Sequence, residues 1–504
     1  MDRTVGFIDV GTNSVHMLVV RFYEGDMGTP VYQDKEAIRL GHSLFTTGQL
    51  DEAVLDKAGK VLRSFASIAR GLGADEVRAY ATCAAREAPN SSALELLARS
   101  CGIDIRIISG PEEAHITRLG VIGPVAPRRT LLVDIGGGST EITLADGSDD
   151  LVSCSFRLGA IRMAFASGVD QSGKVSAHDY DFLRRTVDNE ITSQVGRIRE
   201  CGFDVAVGSS GTLMAIASAI AARRGDGNDS YFTLEELESL MRYLCRMTAS
   251  QRAYVSKIGA SRADIILGGG AIAEEIMFRL GIQRMEISSN GLREGMRVAY
   301  LVENGWPCRN IRESSVMSLV GRFNSDRVHG DNVARISDLL FDSFARNGLV
   351  VGDAGLKEFM RYAAYLNEVG AVAGRRSKGE LTSLIIRNSA MIGFEPDELE
   401  VIAFLAYVCR GPVPALTSKQ YLKLPQYTPV TLSRCAMLLK IAEISDRGRD
   451  GAVSGVEVEV VGSAIHLVLV TSSDASLAMW KLASVRDEFH SVFGMDVIVS
   501  SRSV

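Results

Sequence analysis

The chain contains no Cys-x-x-Cys pair; its eight cysteines, at positions 83, 101, 154, 201, 245, 308, 409 and 435, are scattered. That spacing excludes a zinc ribbon and a disulfide framework and fits a reducing cytoplasm. A signal-peptide pattern is missing, because Met1-Asp2-Arg3-Thr4 runs straight into an apolar strand. Long apolar runs are missing too. Residues 205–222 carry no charge, but Gly208, Ser209, Ser210, Gly211 and several alanines leave too little bulk for a membrane span. A buried loop and helix is expected there, and no membrane insertion. An excess of positive charge is absent, the net charge being −6, which argues against a general nucleic-acid binder. His178, His329, His466 and His490 are too dispersed to predict a metal site, and no low-complexity segment occurs.

What remains is the composition of an ordinary globular protein, 46% hydrophobic and 23% charged, in 504 residues, too long for one core. Charge is uneven along it. Residues 1–150 hold 15 Lys and Arg against 21 Asp and Glu, whereas residues 305–450 hold 19 against 16. An acidic part joined to a more basic part suits a metal and a long anion held at different points, although ordinary surface variation gives the same counts.

The organising stretch is Leu131-Leu132-Val133-Asp134-Ile135-Gly136-Gly137-Gly138-Ser139-Thr140-Glu141-Ile142. It reads as strand, tight loop, strand. Glycines leave backbone N–H groups free to converge on an anion, Ser139 and Thr140 add hydroxyls, and Asp134 and Glu141 offer the hard oxygens that Mg²⁺ prefers. A hairpin turn alone also wants glycine. The stretch has a second copy, however, in Phe7-Ile8-Asp9-Val10-Gly11-Thr12-Asn13-Ser14-Val15-His16. Asp9 aligns with Asp134, Gly11 with Gly136 and Ser14 with Ser139, which predicts a duplicated domain with one phosphate-binding turn per half.

The order of elements repeats as well. Strands are expected at 5–10, 15–22 and 31–38, a helix over 52–72, a strand at 76–81, a helix near 92–100, a strand at 103–108 and a helix from 111. From Thr130 the order restarts with strands at 130–135, 140–145 and 151–157, a helix over 178–199 and a strand at 203–207. The turn Gly208-Ser209-Ser210-Gly211-Thr212 then opens a helix over 213–223. Two α/β domains facing across a cleft follow from that repetition. A helix over 261–282 is expected to be interrupted at Gly268-Gly269-Gly270, followed by a strand at 284–288 and a helix to about 303. Pro307 marks a boundary. The chain then reads as helical to about 446, and ends in strands at 456–461 and 464–471, a helix over 476–493 and a strand at 495–500.

Ser109-Gly110-Pro111-Glu112-Glu113 places two carboxylates in a first helical turn, where they complement the helix dipole. The same place, just before the second half begins, suits a general base facing a phosphate site. Arg86 follows the fourth strand, where open α/β sheets bind ligands and a guanidinium can clamp phosphate; taken alone it reads as a surface residue. Asn13 also serves as a turn former, and His16 reads as a packed or hydrogen-bonded histidine.

With FIDVGTNSVHMLV, ATCAAREAPN, SGPEEA, LLVDIGGGSTEI, GSSGTL, RADIILGGGAI and SSNGLREGM in this order, the chain resembles the exopolyphosphatase / guanosine pentaphosphate phosphatase family of the actin-like, sugar-kinase-like superfamily. The resemblance covers nearly the whole chain. It implies two duplicated actin-like (ribonuclease H-like) α/β domains, 1–123 and 124–304, a helical HD-like domain, 305–450, and a small α+β domain, 451–504. It implies Asp9, Asp134 and Glu141 as ligands of Mg²⁺ or Mn²⁺, and Glu113 as the residue that activates water. Phosphate binding falls to Gly11, Thr12, Asn13, Ser14, Arg86, Gly136, Gly137, Gly138, Ser139 and Thr140, with the later turn adding Gly208, Ser209, Gly211 and Thr212. Arg262 and Arg293 lie in family motifs, where buried structural roles suit them equally. A cytoplasmic homodimer is implied as well.

The HD-like part departs from the family. Where LHDIG is common the chain has Leu366-Asn367-Glu368-Val369-Gly370, a His-Ser pair is replaced within Glu380-Leu381-Thr382-Ser383, and an RYHR-like stretch reads Ala406-Tyr407-Val408-Cys409-Arg410. An active HD metal centre is therefore not expected, and Arg375, Arg376, Lys378, Lys419 and Lys423 are either polyanion contacts or solvated surface. The expected activity is an exopolyphosphatase. Three alternatives are a guanosine pentaphosphate phosphohydrolase, a kinase-like transferase that would transfer rather than release phosphate, and a non-catalytic polyphosphate or nucleotide sensor.

Overall fold

The computed structural model describes residues 3–22, 27–305, 311–373, 378–389, 391–424 and 426–503. Trp306, Pro307, Cys308, Arg375 and Arg376 lie outside the described residues, as does the side chain of Lys423. Two compact units divide the chain, Met1–Ile311 and Arg312–Val504.

The first unit holds two sheets. One contains β1 (Arg3–Val10), β2 (Ser14–Phe22), β3 (Thr29–Ala37), β4 (Glu76–Ala81) and β5 (Ile105–Ile107), in the order β3-β2-β1-β4-β5. β1 pairs antiparallel with β2 and parallel with β4, so both its edges are satisfied; with both faces buried as well, it reads as the nearly continuous apolar run Val5, Phe7, Ile8, Val10. The other sheet contains β6 (Ala126–Ile135), β7 (Thr140–Gly147), β8 (Asp149–Phe156), β9 (Val205–Ser209), β10 (Tyr231–Thr233) and β11 (Arg284–Ile287), in the order β10-β11-β9-β6-β7-β8. Apart from the edge strand β10 the two sheets share one connectivity, a three-stranded antiparallel meander followed by two parallel additions. This is the duplicated ribonuclease H-like arrangement of actin-like proteins. In both meanders the register sets the turn aspartate opposite the residue two places after the serine: Asp9 faces His16, and Asp134 faces Glu141.

The helix Glu52–Gly71 forms where expected, capped by Asp51 accepting from the Val54 amide and burying Val54, Ala58, Val61, Leu62, Phe65 and Ala69. The helix Gly110–Val121 is capped by Ser109 and crosses the helix Leu292–Glu303 at two glycines. A Cβ on Gly120 would lie 2.4 Å from the Gly295 nitrogen, and one on Gly295 would lie 1.8 Å from the Ile116 oxygen. Backbone therefore packs on backbone there, and only glycine permits it.

Two helical expectations are corrected. The 261–282 helix begins at Ile266 and runs unbroken to Leu280 through its three glycines. These are buried against neighbours: a Cβ on Gly269 would meet Thr212 at 2.3 Å and one on Gly270 would meet Met241 at 2.0 Å, so close packing overrides poor propensity. The 476–493 helix is two pieces, Ser476–Ala483 and Arg486–Phe493. The helices Leu40–Thr47, Ala160–Phe165 and Leu234–Cys245 escaped sequence reading.

In the second unit the helices Arg327–Arg346, Ala354–Leu366, Lys378–Asn388, Pro396–Val408 and Pro429–Ser445 precede a sheet of β12 (Val453–Val461), β13 (Ala464–Thr471) and β14 (Asp496–Ser503). Among the described residues no helix is long and apolar enough to cross a membrane, and the described cysteines are all free.

Candidate active site

The two glycine turns are built alike. The Gly11 amide donates to the Ser14 carbonyl at 3.0 Å, and the Gly136 amide donates to the Ser139 carbonyl at 2.9 Å. Both turns line one cleft of about 360 Å³, so the halves meet at their glycine turns. Asp9, Thr12, Asn13 and Ser14 enter from the first half, and Asp134, Gly136, Gly137, Gly138 and Ser139 from the second. The third turn adds Ser209, Ser210, Gly211 and Thr212, and Glu113 enters from its helix. The sequence-predicted residues thus largely converge.

Arg86, Thr140, Glu141 and Gly208 are not among the residues lining this cleft. Arg86 Nη1 donates instead to Glu113 Oε2 at 3.1 Å and to the Ile108 carbonyl at 2.8 Å, which makes it a clamp on the acid. The Thr140 hydroxyl donates to the Leu158 carbonyl, fastening β7 to the chain beyond β8. Gly208 lies within β9, packed on Leu213, Met285 and Ile287. Glu141 is buried behind the loop, where Oε1 accepts from Ser155 Oγ at 2.7 Å.

Charge on the cleft floor is held unfavourably. Burial, with Asp134 and Glu294 nearby, pushes the Asp9 carboxyl up to about 7 despite Arg293. Burial raises Asp134 to about 6. Glu113 is pushed up by burial and by Asp134 and Asp9, against the lowering effect of Arg86. Glu141 is raised by burial and by Glu113 and Asp134. Crowded, desolvated carboxylates are the arrangement that a bound cation relieves.

Among the described residues no three His, Cys, Asp or Glu side chains form a ready-made metal cage. The donors nevertheless fit a hard cation that keeps part of its shell for water and substrate: Asp9 Oδ1 is buried with no hydrogen-bond partner, and Asp134 enters the same cleft. The amide oxygens of Asn13 and Asn290 are likewise buried and unpartnered.

Of the cations in the cleft, sequence reasoning missed Lys35 and left Arg262 and Arg293 between a family-motif role and a structural one. Lys35 on β3, Arg262 and Arg293 all line the cleft. Lys35 and Arg262 have no ion-pair partner among the described residues; Arg293 spends two donors on Glu294. Arg262 lies against the helix Gly211–Arg224, its Nη2 only 2.3 Å from where a Gly211 Cβ would stand. His16 reaches the cleft too, hydrogen-bonded to Ser14 Oγ at 2.8 Å, its pKa lowered to about 3 by burial and by Lys35 and Arg293. Ser210 holds a φ of 111° and caps that helix through its hydroxyl; such strained backbone concentrates at ligand sites. No local sequence pattern marks Lys35, which sits on an ordinary polar strand.

The second unit has its own buried charge cluster. The His329 ring donates from Nδ1 to Asp446 Oδ2 at 2.7 Å and from Nε2 to Glu443 Oε2 at 3.0 Å, and Asn367 donates to the same Glu443 oxygen at 3.0 Å. The Arg410 guanidinium pairs with Glu443 and with Glu368. Thr382 accepts from the Gly370 amide at 3.1 Å. The carboxylates are thus closed by the protein's own cations.

Two sheets of one connectivity, meeting at a cleft lined by matched glycine turns, define a protein of the actin-like fold class. The particular family follows from comparison: the profile of the Ppx/GppA phosphatase family matches residues 18–303, that of its domain III matches residues 311–485, and the chain belongs to the Ppx/GppA phosphatase family. Among solved structures it is similar to an exopolyphosphatase from Cytophaga hutchinsonii (24% identity, 60% of this chain and 98% of that one, TM-score 0.55). An exopolyphosphatase-like protein is similar at 25% identity, over 59% of this chain and 98% of that one, with a TM-score of 0.54. The Aquifex aeolicus Ppx/GppA family member is similar at 20% identity, over 60% and 99%, with a TM-score of 0.51.

Proposed function

We propose that the chain is an exopolyphosphatase that releases the terminal phosphate of linear inorganic polyphosphate by attack of water. The observation that carries this is the convergence of both Asp-x-Gly-x-x-Ser turns and Glu113 on one cleft that Lys35, Arg262 and Arg293 also line. Amides of the two turns receive the terminal phosphoryl group, and the cations receive the next units of the chain. Glu113, oriented by Arg86, takes a proton from water as its oxygen attacks phosphorus in line and the bridging P–O bond breaks. Asp9 and Asp134 would hold Mg²⁺ or Mn²⁺, which when bound neutralises charge on the phosphoryl oxygens.

The alternative substrate is guanosine pentaphosphate. Among the described residues His16 supplies the only aromatic ring lining the cleft, so a guanine base has no broad stacking face there, which favours the inorganic chain. Phosphate release with Mg²⁺ from long polyphosphate, short polyphosphate and guanosine pentaphosphate tests the choice. A higher kcat/KM on polyphosphate is expected; preference for the nucleotide would reverse the assignment, and transfer to an acceptor without release would replace it with a transferase.

A further inference from the structure

Arg262, which has no ion-pair partner among the described residues, takes its direction from a loop, not from a helix or strand, and the chain on both sides of it is held by two other arginines. Arg252, fully buried, donates to the carbonyls of Leu244, Gln171, Gly173, Met247 and, at 3.0 Å, Ala263. Arg39 reaches the loop from the first half. Its Nη1 lies 2.8 Å from Asp264 Oδ2, and its Nη2 lies 3.3 Å from Asp264 Oδ1 and 2.8 Å from the Ser261 carbonyl. Residues 261, 263 and 264 are thus all anchored, with Arg262 between them.

Arg39 is also tied to the first phosphate turn. Its amide donates to the Asn13 carbonyl at 2.8 Å, and its own φ is 58°, a left-handed conformation that a residue with a Cβ adopts only at a cost. One residue therefore joins the turn that would receive the terminal phosphate to the loop that aims Arg262 from the opposite half. We propose that Arg39 is a positioning residue for Arg262, fastening the loop across the cleft so that the anion meets the first turn and the Arg262 guanidinium in register. This rests on the polyanion-cleft reading given above.

The contact predicts a split in kinetics. Arg39 is only part-buried, so Arg39→Gln should fold, with an unchanged thermal midpoint. It should raise KM for polyphosphate, and weaken tripolyphosphate binding in calorimetry, roughly tenfold, with kcat within about twofold, because Glu113 and the turns stay in place. Asp264→Asn, which weakens the same contact from the other side, should give the same rise, and Arg39→Lys should recover part of the loss. The double variant Arg39→Gln/Arg262→Gln should bind no worse than Arg262→Gln alone. If Arg262→Gln weakens binding but Arg39→Gln does not, or if the two losses multiply, the positioning role is wrong while the cleft reading stands. If Arg262→Gln leaves binding unchanged, Arg262 is no polyanion contact and the positioning role falls with it, while absence of phosphate release from polyphosphate by the parent protein would overturn the cleft reading itself.

Discussion

Arg86 and Glu113 are hydrogen-bonded at 3.1 Å, with the guanidinium also resting on the Ile108 carbonyl. The arginine that the resemblance offers as a phosphate contact thus also holds the acid. Its charge opposes the upward push that burial, Asp134 and Asp9 give the Glu113 carboxyl. A base must be ionised to act, so kcat/KM should climb with pH along a limb set by Glu113. Removing Arg86 takes away a lowering influence, and Arg86→Gln should move that limb to higher pH as well as slow the reaction. A limb that stays where it was in a pH–rate series would detach Arg86 from the acid.

Glu113→Gln keeps the shape of the site and loses the proton acceptor. Turnover should fall by about 10²–10⁴ while tripolyphosphate binding, measured by calorimetry, stays close to that of the parent protein. Equal turnover would remove Glu113 from the reaction.

The carboxylate floor predicts an unusual stability profile. Asp9 and Asp134 have folded pKa values of about 7 and about 6, above the ordinary 3.8. The folded state therefore binds more protons than the unfolded one, and stability falls as pH rises from about 4 to about 7. Scanning calorimetry of the metal-free protein should show the first unit melting higher at pH 5.5 than at pH 8. Mg²⁺ should narrow that gap, and Asp9→Asn should shrink it. A floor that needs no relief would give a flat profile.

In the second unit His329, wedged between Glu443 and Asp446, has a pKa raised to about 9, because the hydrogen bonds to both acids outweigh its burial. The stabilisation this brings is complete below about 6.5 and is lost as pH passes upward through about 9. His329→Ala removes the cation between the two buried carboxylates, leaving Glu443 with Arg410 and Asn367, and Asp446 with Asn332 and the Gly451 amide. It should cost about 3 kcal/mol in urea unfolding of this unit. A loss within experimental error would show the cluster to be dispensable.

Gly295→Ala inserts a methyl group where the Ile116 carbonyl stands, so the helix bearing Glu113 must move. Both stability and kcat should drop, whereas Gly281→Ala, with open space around its Cβ position but a φ of 74°, should cost only the backbone strain. Similar kcat losses in both would argue against a transmitted displacement.

Much of this was legible beforehand, because the signals were local. Asp9 and Asp134 each end an apolar strand, and the repeated Asp-x-Gly-x-x-Ser spacing placed both turns and their pairing correctly. What escaped depends on distant neighbours. The Arg86 contact to Glu113 was not foreseen, because nothing in the arginine's own stretch shows that an acid 27 residues later folds back on it. The run Gly268-Gly269-Gly270 was read as a break because the methyl-sized gaps it leaves are filled by Thr212 and Met241. Lys35 has no motif and acquires meaning only when β3 forms the rim of the cleft.

The crossing of Gly120 over Gly295 fixes how far Glu113 reaches. With no side chain between the two helices, their separation is a property of the polypeptide itself and offers no handle for gradual adjustment. Under the proposed reaction, the depth at which water meets phosphorus would then be set by main chain alone, and any change in the length of chain accepted would have to come from side chains such as Lys35 and Arg262.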